Sequence, residues 1–119
     1  MQRILVVDDD KDILAVIQYI LEDSGYQVDT LTNGHRLLET IHDKKPDLVL
    51  LDIMLGDMDG RELCRHLKTS ELTHHIPVIM VSASHQVTNF NGTDGPNDFI
   101  SKPFDINELL TTVQKQLVA

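Results

Sequence analysis

Cysteine is nearly absent from this chain: Cys64 is the single one in 119 residues. An internal disulfide is therefore excluded, which fits a reducing compartment. Basic residues are scarce too, with 10 Lys and Arg against 19 Asp and Glu, a net charge of −9 and a pI near 4.8. Binding nucleic acid without regard to sequence requires Lys and Arg to neutralise phosphates. Docking on an anionic membrane surface requires the same residues. The composition argues against both, so neither direct nucleic-acid contact nor membrane attachment is expected. No apolar run approaches the ~20 residues that span a bilayer. The first residues enter a strand-like run without a charged-then-apolar leader pattern, and the expected location is cytoplasmic. Repeats, linkers and low-complexity tracts are lacking as well. Residues 1–119 read as one domain, with nothing left over for a second or for a DNA-binding output module.

What is present is an alternation of short apolar runs with helix-period segments. The 41% hydrophobic and 24% charged fractions are those of an ordinary globular chain. Ile4–Val7 reads as a first strand. Asp12–Asp23 places Ile13, Ile17, Ile20 and Leu21 on one helical stripe, with Gly25 as the stop. Tyr26–Leu31 is a weaker alternating strand. A helix opening at Asn33–Gly34 carries Leu37, Leu38 and Ile41 and ends before Pro46. Asp47–Leu51 is a fully apolar strand ending in Asp52. A loop, Ile53–Asp59, leads through Gly60 to a helix with Leu63, Cys64 and Leu67 inward. Ile76–Val81 is a buried strand ending in Ser82, and Asp98–Ser101 is a short fifth strand. Asn107–Val118 is a closing helix with Leu109, Leu110, Val113 and Leu117 inward.

Continuous apolar strands separated by helices imply a parallel sheet covered on both faces. Right-handed crossovers leave few topologies. The expected fold is α/β, a (βα)5 doubly wound, flavodoxin-like five-stranded sheet in the order 2-1-3-4-5. One segment breaks the rhythm. Between Ser82 and Asp98 stand Thr88, Asn89, Asn91, Gly92, Thr93, Asp94, Gly95 and Pro96, which are turn formers. The fourth helix is expected to be short, distorted or mobile.

In an open parallel sheet, ligands bind at the carboxyl ends of the strands near the switch point. Strand 1 delivers Asp8 and Asp9 there, strand 3 Asp52 and strand 4 Ser82, while Lys102 follows strand 5. Strand 2, at the edge, delivers no charge. Carboxylates this close repel one another and call for a cation. A hard divalent ion with oxygen ligands is the natural candidate, and Mg²⁺ commonly combines one or two carboxylates with phosphate oxygens and waters. An ammonium opposite the metal would neutralise phosphoryl oxygens during transfer. A carboxylate can itself be the nucleophile and become an aspartyl phosphate. Asp52 is the best nucleophile candidate, because it ends a central strand and faces what reads as a flexible loop. Asp10 reads as a helix N-cap rather than a ligand. Asp57 and Asp59 read as solvated loop acids, with Asp59–Gly60 serving turn chemistry. His74–His75 lacks partners at metal-ligand spacing, and Cys64 reads as a buried small hydrophobe.

Four motifs in order carry a resemblance over essentially the whole chain. They are Ile4-Leu5-Val6-Val7-Asp8-Asp9-Asp10, Pro46-Asp47-Leu48-Val49-Leu50-Leu51-Asp52, Ile76-Pro77-Val78-Ile79-Met80-Val81-Ser82-Ala83 and Ser101-Lys102-Pro103-Phe104. In these the chain resembles a receiver domain of a two-component response regulator, of the single-domain chemotaxis-regulator type. The resemblance implies that Asp52 is the phosphoacceptor. It implies that Asp8 and Asp9 hold Mg²⁺, Asp9 directly and Asp8 through water, with Asp52 and the backbone carbonyl of Met54 as further ligands. Lys102 would pair with the phosphoryl group and Ser82 would move toward it. Phe99 takes the aromatic switch position, with plain strand packing as its competitor. Lys102–Pro103 matches a bond usually cis in that family.

The implied partners are a sensor histidine kinase or phosphotransfer protein on one side and a downstream protein target or output domain on the other. Such a domain catalyses its own phosphorylation and dephosphorylation without being a turnover enzyme. The sequence departs from the family pattern in three places. Gly56 replaces the usual proline four residues after the phosphoacceptor, so a looser loop is expected. Pro96 stands where an alanine is usual. The segment between Ser82 and Lys102 is slightly short. That last departure keeps open a second reading, a degenerate receiver acting as a phosphorylation-independent protein-binding module. A Mg²⁺-dependent phosphohydrolase is disfavoured, because no second general acid and no phosphate-binding Gly loop accompany Asp52.

Overall fold

The computed structural model describes residues 2–83 and 95–118. The elements run β1 (Arg3–Val7), α1 (Lys11–Asp23), β2 (Gln27–Leu31), α2 (Leu37–Lys44), β3 (Leu48–Asp52), β4 (Met54–Leu55), β5 (Met58–Asp59), α3 (Gly60–Thr69), β6 (Val78–Ser82), β7 (Asp98–Ser101) and α4 (Ile106–Leu117). Five strands form one parallel sheet in the order β2-β1-β3-β6-β7. Counting only these five in chain order, this is the expected 2-1-3-4-5 arrangement.

The sheet divides the core into two layers because alternate residues of a strand point to opposite faces. Leu5, Val7, Val49, Leu51, Val78 and Met80 pack beneath α2 and α3, where they meet Leu37, Ile41, Cys64 and Leu67. Ile4, Val6, Leu48, Leu50, Ile79, Val81 and Ile100 pack on the other face against α1 and α4. All five residues of β3, and all five of β6, are buried. Each buried aliphatic side chain contributes roughly 1.5–3 kcal/mol. These strands therefore form the rigid platform on which the sheet's carboxyl edge is set.

Asp residues start three of the helices. Asp10 accepts from the amides of Asp12 and Ile13, which makes it the N-cap of α1. Asp59 caps α3 and Asp105 caps α4. Helix α1 stops in a Schellman turn. Gly25 takes φ 99°, its N–H donates to Glu22 O, and that of Tyr26 donates to Leu21 O.

The structure departs from the sequence reading at several points. Leu14 is buried in α1, whereas Ile13 is only partly so. Leu38 is 50% exposed rather than inward, because a helix beginning at Leu37 turns only one of these two adjacent residues toward the sheet. Leu63, Leu110 and Leu117 lie at the core margin, partly buried. The segment after Asp52 is not a loose loop. β4 and β5 form an antiparallel hairpin, Met54 opposite Asp59 and Leu55 opposite Met58. Its two-residue turn places Gly56 at φ 69°, the left-handed region that short hairpins need at the first turn position. The expected fourth helix falls on residues 84–94, outside the described residues. No helix among the described residues is long and apolar enough to cross a membrane.

Candidate functional site

Strand register assembles the site. Val7 pairs with Leu51 across β1 and β3, so the next residues, Asp8 and Asp52, emerge side by side. Asp52 pairs with Val81 of β6, and Ser82 pairs with Ser101 of β7, which puts Ser82 and Lys102 on the same edge. The Lys102 N–H donates to Ser82 O at 2.8 Å, fixing the start of the β7–α4 connection to the end of β6. The Lys102–Pro103 bond is cis.

Lys102 reaches back across the edge. Its Nζ donates to Asp8 Oδ2 at 2.8 Å and to Asp52 Oδ2 at 3.3 Å. Asp8 and Asp52 are buried, at 2% and 5% exposure, and Asp9 is exposed. Asp8 also accepts from the Asp10 N–H at 2.9 Å, and Asp52 Oδ1 from that of Met54 at 3.4 Å. One oxygen from each of Asp8, Asp9 and Asp52 lies within 4.8 Å of the others. Among the described residues this is the single group of three or more His, Cys, Asp or Glu side chains able to hold a metal ion. Its donors are hard oxygens, two of them desolvated, with an exposed side that leaves room for water or an oxygen-rich ligand. That set suits a cation such as Mg²⁺ and not a soft metal.

Charge is unbalanced here. Burial, and then the neighbouring Asp8 carboxylate, push the Asp52 carboxyl from its usual 3.8 up to about 6, although Lys102 pulls the other way. Burial alone would lower the Lys102 ammonium. Its hydrogen bond to Asp8 and the nearby Asp52 charge outweigh that, and its proton is held more tightly than usual. Two buried carboxylates and one ammonium leave a net negative edge that a cation would relieve.

The remaining sequence candidates sort themselves by position. Ser82 is buried at the site edge, with 2% exposure. Phe99 is 43% exposed, so plain core packing does not describe it. Met54 is exposed on the hairpin beside Asp52. Asp59 is not a free loop acid. It caps α3 and forks onto Arg61 through Nε at 3.2 Å and Nη2 at 3.0 Å, which holds its carboxyl below the usual value. Asp57 faces His35 at 3.0 Å. The rings of His74 and His75 lie edge to face, 6.1 Å apart. Cys64 is fully buried and its thiol is pushed up to about 11 by desolvation, an inert hydrophobe. Sequence reasoning missed the bridge from Lys102 to Asp8, because a contact between residues 94 apart has no local signature.

The family model for the response regulator receiver domain matches residues 4–114. The chain belongs to the response regulator receiver domain family. Curated relatives agree. The DNA-binding dual master transcriptional regulator RpaA of Synechocystis is 38% identical over 119 residues, covering 98% of this chain and 49% of that protein. The heme response regulator HssR of Staphylococcus epidermidis is 38% identical over 122 residues, covering 98% of this chain and 52% of that protein. The chain thus spans about half the length of the curated relatives it matches. Solved receivers superpose closely. A CheY-like response regulator receiver domain protein from Methanospirillum hungatei gives a TM-score of 0.89 at 33% identity, over 99% of this chain and 94% of that one. Chemotaxis protein CheY4 of Vibrio cholerae gives 0.89 at 26% identity, over 98% of this chain and 99% of that one. This receiver is a signalling module of two-component systems with a CheY-like, flavodoxin-like fold.

Proposed function

We propose that the receiver accepts a phosphoryl group on Asp52 from a sensor histidine kinase or phosphotransfer protein, in the cytoplasm. The modification would then change its affinity for a downstream protein target or output domain. The observation that carries this reading is the Lys102 ammonium bridging two buried carboxylates at the end of the central strand, with Asp9 alongside. Asp8, Asp9 and Asp52 would hold Mg²⁺, with the Met54 carbonyl as a further ligand. When bound, the ion supplies positive charge for the phosphoryl oxygens.

The chain's own residues account for the rest. With its carboxyl at about 6, Asp52 is mostly ionised at neutral pH and able to attack. One Asp52 oxygen forms the new O–P bond as the N–P bond of a phosphohistidine breaks. The electron pair leaves on the imidazole nitrogen and an acyl phosphate remains. Lys102, already hydrogen-bonded to an Asp52 oxygen, is placed to pair with the incoming phosphoryl oxygens. Ser82 offers its hydroxyl at the same edge. The exposed Phe99 ring lies on the neighbouring strand, three residues before Lys102, where a local rearrangement would alter the surface a partner meets. The acyl phosphate is labile, so signalling ends by hydrolysis at Asp52 rather than by turnover of a separate substrate.

Phosphate-affinity electrophoresis after incubation with a small phosphodonor and Mg²⁺ tests the proposal. A retarded band for wild type, absent for Asp52→Asn, is expected. No retarded band would instead favour a phosphorylation-independent binding module.

A further inference from the structure

We infer that Gly60, the first residue of α3, is a positioning residue for Asp52, fixing the site by having no side chain. A Cβ built on Gly60 would overlap the Asp52 backbone oxygen and lie 2.9 Å from both Asp52 C and Ile53 Cα. The Gly60 N–H also donates to Ile53 O at 2.8 Å. Gly60 therefore presses its bare Cα on the peptide that leaves β3 and ties down the following carbonyl. Its backbone is right-handed helical, so conformational freedom does not explain the glycine. At a helical position alanine is intrinsically the better residue.

Any Cβ here must push apart α3 and the Asp52–Ile53 peptide. α3 resists, because Cys64 and Leu67 are locked in the core and Asp59 caps its first turn. The displacement therefore falls on Asp52, whose carboxylate has to stay aligned with Asp8, Asp9 and Lys102. A shift of a few tenths of an ångström at such a site degrades ligand geometry. The consequence for phosphorylation rests on Asp52 being the phosphoacceptor; the steric argument does not.

Gly25→Ala is the matched control. Gly25 sits at φ 99° with nothing within 4 Å of an added Cβ, so alanine there strains the backbone without touching the site. Both variants should lower the midpoint of thermal unfolding. In Gly60→Ala, the Mg²⁺ dissociation constant from calorimetry and the phosphorylation rate with a small phosphodonor should each worsen at least about tenfold. In Gly25→Ala both should stay within about twofold of wild type. Gly60→Ala with wild-type Mg²⁺ affinity and rate would overturn the inference. If Gly60→Ala does not fold, the wild-type amide spectrum decides. The Gly60 signal should move with Mg²⁺ at the same midpoint as Asp52, and a stationary Gly60 signal overturns the inference. If wild type neither binds Mg²⁺ nor accepts phosphate, the reading of the site fails instead. The ligand-free amide shifts of Asp52 and Lys102 then decide on Gly60: they should change in Gly60→Ala and not in Gly25→Ala.

Discussion

At the scale of single residues, the site is held at an electrostatic cost. Asp52 keeps its proton up to about pH 6 in the folded chain, against 3.8 when unperturbed. Folding takes up a proton between those values, so this group's contribution to stability falls as pH rises through that window and is lowest above it. Asp52→Asn removes the penalty without changing shape. Without divalent metal at pH 7.5, urea denaturation should show Asp52→Asn more stable than wild type by about 1–3 kcal/mol, with the difference vanishing below pH 4. Equal stability at pH 7.5 would mean that Asp52 is not strained by its neighbours. Lys102 is the opposite case. Lys102→Met leaves Asp8 and Asp52 facing each other with no ammonium, and unfolding at neutral pH should show a loss of about 3 kcal/mol. Part of that loss should return on adding Mg²⁺. Asp8, Asp9, Asp52 and Lys102 were legible in the sequence because strand ends in a parallel sheet share one edge. Which carboxylate Lys102 grips was not, since that depends on side-chain reach across three strands.

At the scale of elements, local chemistry explains both the successes and the misses. Asp10 was readable as a cap because an acid directly before an apolar helical stripe satisfies orphan amides. Asp10→Ala should cost about 1 kcal/mol by chemical denaturation and leave Mg²⁺ affinity unchanged. A large loss of affinity would instead make Asp10 a ligand. Strands of two residues carry no periodicity, so the β4–β5 hairpin was invisible and Ile53–Asp59 read as a loop. The same hairpin explains why the proline usual in the family is absent. Gly56 sits at φ 69°, whereas proline is fixed near −65°. Gly56→Pro should therefore destabilise the chain by more than about 1 kcal/mol in a thermal melt. A neutral or stabilising result would show that the turn reshapes freely. Asp59 with Glu62 three residues on is a cap signature that marks the start of α3, and reading Asp59–Gly60 as turn chemistry overlooked it.

At the scale of the whole molecule, the sheet order follows from the composition of its strands. β3 and β6 are apolar on both faces and take the centre, while the half-exposed β2 takes an edge. That order gathers three carboxylates and a lysine from distant parts of the chain at one rim, leaving the opposite rim without such a cluster among the described residues. A resemblance spread over four motifs was informative for that reason: each motif ends a strand, and the fold brings the ends together. The proposed phosphorylation stands or falls on Asp52 being the acceptor residue. Borohydride reduction of the phosphodonor- and Mg²⁺-treated protein converts an aspartyl phosphate to homoserine, and peptide mass spectrometry then locates it. Homoserine is expected at position 52 alone; homoserine at Asp8 or Asp9, or none in a protein that has bound Mg²⁺, would rule Asp52 out as the acceptor.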